Sequence, residues 1–309
     1  MTTATAPARL AVWWNSDLAY SFRHAPVAVV SAVVLVVFLG AAFLAPWVAP
    51  HNPFDLATLN LLDALTPPHG VAGSKPEYLL GTDDQGRDLL SAIMFGTRIS
   101  LLVGLAAVAL SVLIGVSLGL ASGYAGGRLD AFIMRAADVQ LSFPAILIAL
   151  LIDGILRAVL PRSAQSDIAL FVLIVAIGVS NWPQYARTVR GSTLVEKSKE
   201  YVQAARVIGV GTPAIVFRHL LPNVLGPVLV IATINIATAI LIEATLSFLG
   251  VGVPPTRPSL GTLIRVGQDF LFSGEWWITI FPGAALVIMV LAINLLGDWL
   301  RDALNPKLR

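Results

Sequence analysis

The sequence contains no cysteine and few charged residues, and both absences limit what the protein can be. Without cysteine among the 309 residues, disulfides and cysteine-ligated metal sites are excluded. Charged residues make up only 12% of the chain, whereas globular domains usually carry about 25%. Hydrophobic residues make up 57%, and the mean hydropathy is +0.82. Such a chain cannot cover itself with a polar surface, so the composition predicts a protein embedded in lipid.

Further absences exclude most chemistry. The sequence has no G-x-x-x-x-G-K-[ST] phosphate-binding motif, so we expect no ATP hydrolysis by this chain. No Ser/His/Asp grouping indicates a hydrolase, and the net charge of +2 does not favour a nucleic-acid partner. We therefore predict no catalytic, cofactor-binding or metal site. The four histidines are not spaced as metal ligands: His24, His51, His69 and His219.

Uncharged apolar stretches predict an all-α, polytopic protein with six membrane-spanning helices. The third stretch is short, so we expect it to extend back toward Phe132. The predicted organisation is an inner segment 1–26, a first span 27–45, an outer loop 46–98, a core 99–298 with an inner connector 187–219, and a tail 299–309. The spans are Val27–Ala45, Ile99–Tyr124, Val139–Ile152, Ile168–Ala186, Leu220–Ile242 and Trp276–Leu296.

The basic residues predict the orientation of these spans. If both termini are cytoplasmic, the inner segments hold 13 of the 20 basic residues and 7 of the 18 acidic ones. The net charge is then +6 inside and −4 outside, which together give the overall +2. Lysine and arginine concentrate on the cytoplasmic side of membrane proteins. We therefore predict a multi-pass membrane protein with both termini inside.

The connector between the fourth and fifth spans is the most unusual segment. Glu196–Ile208 contains no proline or glycine and can be helical, Gly209 and Gly211 can stop that helix, and Pro213 can start the next one. Ala204 and Ala205 form a small surface that another protein could approach closely. By composition alone, a solvated connector helix is the simpler interpretation.

Small residues recur every four positions along the second span, which predicts one continuous ridge for close helix packing. The ridge consists of Ala107, Ser111, Gly115, Gly119 and Gly123.

Polar residues within the spans have two interpretations. Asn235 and Thr238 in the fifth span either bond to neighbouring helices or line a path for solute. Asp153 and Glu243 are expected at outer helix ends near water, beside the path or bonded to loops. Pro144 should kink its helix because it removes a hydrogen bond.

The order of residues in the connector resembles the EAA signature of ABC importer permeases. The match consists of Gln203-Ala204-Ala205, Gly209 and Leu221-Pro222, with Gln203 where the family motif has glutamate. Glu200 and Tyr201 precede it on the same helix. The ending His219–Asn223 resembles the peptide-transport branch. Three further segments resemble the C-type subunit of the dipeptide, oligopeptide and nickel permeases: Gly81–Asp88 with Gly96–Leu101, Glu243–Gly252, and Asn294–Asp302.

This resemblance implies the type I ABC importer permease fold and a machine of several chains in the bacterial inner membrane. The partners would be a second, homologous permease, two ATP-binding subunits that hold ATP and magnesium, and an extracytoplasmic solute-binding protein. The connector helix would be the coupling helix that docks on the ATPases. Two other classes compete with this interpretation. An ion-coupled carrier should show inverted repeats and ionisable groups at midplane, and a membrane hydrolase should show a nucleophile and base, but the sequence shows none of these clearly.

Overall fold

The described residues form long α-helices joined by loops. It is a computed structural model, and it describes residues 17–55, 59–254 and 256–303. The predicted inner segment 1–26 and tail 299–309 therefore lie partly outside the described residues. In chain order the α-helices are α1 (Asp17–Arg23), α2 (Pro26–Val48), α3 (Leu89–Ala125), α4 (Gly127–Leu141), α5 (Ala145–Val159), α6 (Arg162–Glu196), α7 (Glu200–Val207), α8 (Thr212–Phe248), α9 (Leu260–Gln268) and α10 (Trp277–Ala303).

Helices α2, α3, α6, α8 and α10 are long and apolar enough to cross a membrane, and α4 and α5 together could make a sixth span. The longest helices extend beyond the predicted spans. Helix α3 begins at Leu89 because the Asp88 carboxylate accepts the Ser91 amide at 2.9 Å and caps the helix. Helix α6 continues past Ala186 to Glu196, so the first third of the predicted connector is part of this helix.

The third predicted span is a bent pair rather than one helix. Helices α4 and α5 meet at an angle of 97°. Pro144 is the N-cap of α5 and stands directly after the break, where its missing N–H cannot continue the hydrogen bonds of α4. The predicted kink at Pro144 is therefore present, and it is much sharper than an ordinary proline kink.

A second proline explains how α4 is attached to the bundle. Pro183 lies inside α6 and has no N–H to donate to the carbonyl of Val179. The Gln140 side chain of α4 donates instead, at 2.7 Å from the Val179 oxygen. Gln140 also accepts the Trp182 indole N–H at 2.9 Å. One amide side chain thus repairs the broken helix and fixes α4 against it.

Helix α3 packs against α2, α6 and α8, and its seam with α6 is the most extensive of these contacts. All five members of the predicted small-residue ridge are buried. A Cβ added at Gly119 would lie 2.6 Å from the Ala186 oxygen, and one at Gly123 would lie 2.7 Å from Thr193 Cβ. Ser111 donates a hydrogen bond of 2.8 Å to the Gly178 carbonyl. The ridge therefore packs two long helices backbone to backbone, as its spacing predicts.

The segment before α3, which the sequence predicts to be an outer loop, is folded around two acidic residues. Asp83 accepts the backbone N–H of Arg87 at 2.9 Å and its guanidinium at 2.6 Å. Asp63 accepts the Tyr78 hydroxyl at 3.1 Å and pairs with Lys75. The lysine hydrogen bond holds the pKa of Asp63 below its usual value, although burial acts the other way. The Gly81–Asp88 motif is thus a folded loop that leads into α3.

Candidate coupling site

The candidate coupling site is helix α7, a two-turn helix in the connector between α6 and α8. The sequence predicted one helix from Glu196, and this prediction is wrong at its start. Helix α6 ends at Glu196, the chain turns through Lys197–Lys199, and α7 begins at Glu200. Lys197 holds the turn by donating to the Gly123 carbonyl at the end of α3, at 2.6 Å. The connector is therefore a corner fastened to the α3–α6 pair.

Gly209 ends α7 in the way that its position predicts. Its φ of +83° is in the left-handed region that favours glycine. The N–H of Val210 donates to the Ala205 carbonyl at 2.9 Å, which satisfies a carbonyl at the end of the helix. Thr212 and Pro213 then start α8, whose early turns include a π-helical segment, Ile215–Leu220.

One of the two alanines of the signature is buried and the other is exposed. Ala205 is only 6% exposed and packs with Val202 against Tyr185 and Leu220. Ala204 is exposed. The expectation that both alanines lie on a docking surface is therefore wrong for Ala205, because successive helical residues differ in direction by about 100°. A charge at Ala205 would disrupt the folded corner rather than test docking.

The exposed face of α7 contains small and apolar side chains. Ala204 is followed on this face by Val207 and Ile208, which are 87% and 77% exposed. Glu200 lies one turn before Ala204 and is also exposed. Exposed apolar side chains that share one face of a short connector helix indicate a surface that a partner covers. We call Glu200, Ala204, Val207 and Ile208 the docking face.

Tyr201 fastens α7 to both long helices beside it. Its hydroxyl donates to the Glu196 carboxylate at 2.7 Å and accepts from the Asn223 amide at 3.2 Å. The Asn223 amide also donates to the His219 carbonyl at 2.6 Å. Burial and the Glu196 bond raise the pKa of Tyr201 to about 12. The sequence singled out Tyr201, but only the fold identifies Glu196 and Asn223 as its partners.

Gln203 is explained by the corner. Its side-chain amide donates to the Lys197 carbonyl at 3.0 Å, within the turn between α6 and α7. A glutamate carboxylate could not donate this bond. Leu221 and Pro222 do not lie on the docking face: Leu221 packs against the buried side of the corner, and Pro222 lies on the first turns of α8.

The candidate path residues separate into two groups. Thr238 is exposed, and Asn235 is half-buried with its amide 3.4 Å from the Gln184 oxygen. Glu243 is fully buried and accepts from the Ser100 and Ser247 hydroxyls, both at 2.7 Å. The expectation of water near Glu243 is therefore wrong, and its carboxylate joins α3 to α8 instead.

Asp153 is also buried, which again contradicts the expectation of nearby water. Its carboxylate accepts from Arg157 at 2.6 Å. The same guanidinium donates to the carbonyls of Val251 and Gly252, at 2.6 and 2.9 Å. Asp153 therefore holds an arginine that ties α5 to the loop after α8, as the loop-bonding interpretation proposed.

Comparison with known proteins gives matches over almost the whole chain. Residues 112–309 match the family described as binding-protein-dependent transport system inner membrane component. Residues 13–68 match the N-terminal TM domain of oligopeptide transport permease C. The chain is 38% identical to the di/tripeptide transport system permease protein DppC of Pseudomonas aeruginosa, over 98% of this chain and 94% of that one.

Other relatives match over similarly large shares of both chains. Identity to the dipeptide transport system permease protein DppC of Escherichia coli is 43%, over 93% of this chain and 91% of the relative. Identity to the oligopeptide transport system permease protein OppC of Bacillus subtilis is 38%, over 97% and 91%. A solved chain of the inward-facing MetNI methionine ABC transporter superimposes with a TM-score of 0.50 at 22% identity, over 69% of this chain and 94% of that one. This last likeness concerns the fold alone.

The fold and these matches define a class first: a multi-pass, non-catalytic permease subunit of an ABC importer in the inner membrane. The chain belongs to the binding-protein-dependent transport system inner membrane component family. ATP hydrolysis in such transporters occurs in separate subunits. Nothing in the matches supports the ion-coupled carrier.

Proposed function

We propose that this chain is one of two permease subunits of an importer for di- or oligopeptides. The observation that carries the docking part of the proposal is the exposed docking face on a helix that is itself firmly held. The peptide part follows from the names of full-length relatives at 38–43% identity, which transport dipeptides, di- and tripeptides or oligopeptides.

The partners follow from this role. A second, homologous permease completes a path for solute beside Asn235 and Thr238, and an extracytoplasmic binding protein delivers the peptide. Two ATPases bind ATP and magnesium, and α7 docks on the ATPase side of the assembly. The excess of lysine and arginine on the connector side supports an inner location for α7 and for both termini.

In this mechanism a movement of α7 must be transmitted to the membrane-spanning helices. When ATP binding draws the two ATPases together, they carry α7 with them. Tyr201 passes this displacement to Glu196 at the end of α6 and to Asn223 near the start of α8. The subunits then alternate between inward and outward openings, because the helices around the path move relative to each other.

The test is Ala204→Asp, compared with Ala131→Asp. Both residues are exposed alanines inside helices, α7 and α4 respectively, so both changes have the same intrinsic effect on a helix. We expect Ala204→Asp to lose the ATPase subunits on purification and to lose peptide uptake, at normal levels of membrane insertion. Ala131→Asp should retain both.

Two outcomes would contradict the proposal separately. Retained ATPase binding and normal uptake in Ala204→Asp would remove α7 as the docking helix. Assembly with ATPases but no uptake of labelled di- or oligopeptides by the unmodified transporter would leave the docking helix in place and reject peptides as the solute.

A further inference from the structure

A cleft lies at the predicted outer end of the bundle. It has a volume of about 690 Å³ and is open to the surroundings. The end of α2, the first turns of α3, α6 and the loop before α9 form its walls. Its lining combines basic, aromatic and aliphatic side chains, including Arg98, Arg257, His51, Phe95, Leu102 and Leu170. We call it the two-arginine cleft.

The two arginines differ from others in the same outer region. Arg87 and Arg157 are each paired with a carboxylate, at 2.6 Å from Asp83 and Asp153 respectively. The guanidinium groups of Arg98 and Arg257 are exposed and have no hydrogen-bonding or ionic partner among the described residues. Arg98 belongs to the Gly96–Leu101 motif, and neither the fold nor the coupling site explains it. Two unpaired cations that line one cleft form a site for an anion.

Helix geometry shows which way this cleft faces. On α3, Ser100 bonds to Glu243 of α8, and Gly104 packs against Ile240 of the same helix. Arg98 precedes Ser100 by two residues, so it points away from α8, at about 200° around the helix. Thr238 lies two residues before Ile240 on α8 and therefore points away from α3 by the same argument. Arg98 and Thr238 therefore each face away from the contact between α3 and α8.

The same face of α3 becomes apolar as it enters the membrane. Leu102 follows Arg98 by one turn, is 49% exposed and lines the same cleft as Leu170 of α6. A basic site at the boundary of the spans, followed by an exposed aliphatic wall, matches the chemistry of a phospholipid. A free peptide has a carboxylate but no long aliphatic chain to cover this wall.

We propose that the two-arginine cleft binds an anionic phospholipid of the outer leaflet. Arg98 and Arg257 hold its phosphate, and its acyl chains lie along Leu102 and Leu170. Arginine binds phosphate through paired N–H donors, and basic pockets between membrane helices bind lipid headgroups. A zwitterionic lipid would bring an ammonium group close to two guanidinium groups and is therefore disfavoured.

The experiment uses the purified full-length transporter in phosphatidylcholine nanodiscs with a trace of spin-labelled phosphatidylglycerol. We expect unlabelled phosphatidylglycerol to displace the label, and phosphatidylcholine, inorganic phosphate and a dipeptide not to displace it. Each arginine contributes one charge near the lipid surface. Arg98→Gln or Arg257→Gln should therefore weaken the affinity about fivefold, and the double variant roughly 30-fold.

Arg128→Gln is the matched control, because Arg128 is an exposed arginine at the other end of the bundle. It should bind the label as the unmodified transporter does. Equal weakening in Arg128→Gln would mean attraction by overall charge and would overturn the site. Displacement by inorganic phosphate would show an adventitious anion site only, and displacement by the dipeptide would make the cleft part of the solute path. Unchanged affinity in the double variant would also reject the proposal.

Discussion

A methyl group added at Gly119 should separate the two helices on which the bundle is built. The added Cβ would lie 2.6 Å from the Ala186 carbonyl oxygen and 2.7 Å from Val189 Cβ. Carbon atoms in good contact are about 3.5–4.0 Å apart, so the seam must open by almost 1 Å. Neither neighbour is the end of a flexible side chain, so rotation of a side chain cannot relieve the contact.

The magnitude follows from comparison with a second glycine. Gly191 lies in α6, is exposed, and has no atom within 4 Å of its added Cβ. Both Gly→Ala changes gain about 1 kcal/mol of helix propensity, so this gain cancels between them. Only Gly119→Ala also overpacks the seam, which should cost about 2–3 kcal/mol of folding free energy. This is the upper part of the usual range for overpacking, because the contacts are with backbone and Cβ atoms that cannot rotate away. We therefore expect Gly119→Ala to be destabilised by about 1–2 kcal/mol and Gly191→Ala to be stabilised by about 1 kcal/mol.

The assay is the thermal unfolding of both variants, purified in the same detergent as the unmodified chain. The midpoint should fall for Gly119→Ala and should rise or stay the same for Gly191→Ala. Equal midpoints for the two variants would refute the reasoning, since they would mean that the α3–α6 seam accepts a methyl group without cost.

Two further predictions concern the outer side. Arg157→Gln leaves Asp153 buried without its cation and should destabilise the chain by about 2–4 kcal/mol, whereas adding Asp153→Asn should recover part of this loss in the same unfolding assay. The ionised Asp63 carboxylate stabilises the folded chain fully above pH 3.8, the pKa of this group in the unfolded chain. This stabilisation is lost as the pH falls through the lower pKa that Asp63 has in the folded chain. Lys75→Gln should move this loss to higher pH, measured by proteolysis of the outer loop, and an unchanged profile would contradict the assigned pair.

The spans and the ridge could be predicted because each depends on a local pattern. Apolar length determines whether a helix can cross lipid, and small residues four apart line one side of a helix in any context. The 97° bend could not be predicted, although Pro144 marked its position. The Gln140–Val179 contact that holds α4 against α6 is also distant in the sequence, and it forms where Pro183 leaves a carbonyl without a helical partner.

The coupling helix shows the same division. The end of α7 at Gly209 could be predicted, because a residue with a left-handed backbone conformation often ends a helix and glycine can adopt that conformation in any context. The direction of Ala205 could not, since it depends on which side of α7 meets Tyr185 and Leu220. The prediction that Glu243 lies near water was wrong for a related reason. Glu243 is far along the chain from the centre of its span, but α3 and α9 cover its side chain.

The route from the docking face into the membrane is short and stiff. Tyr201 joins α7 to the last residue of α6, and the small-residue ridge joins α6 to α3 along their common length. Helix α3 in turn holds α8 through Ser100 and Glu243. A displacement of α7 should therefore move α3, α6 and α8 together. If so, Gly119→Ala should also lower the amount of solute transported per ATP hydrolysed, because it loosens the seam that carries the motion, whereas Gly191→Ala should leave this ratio unchanged.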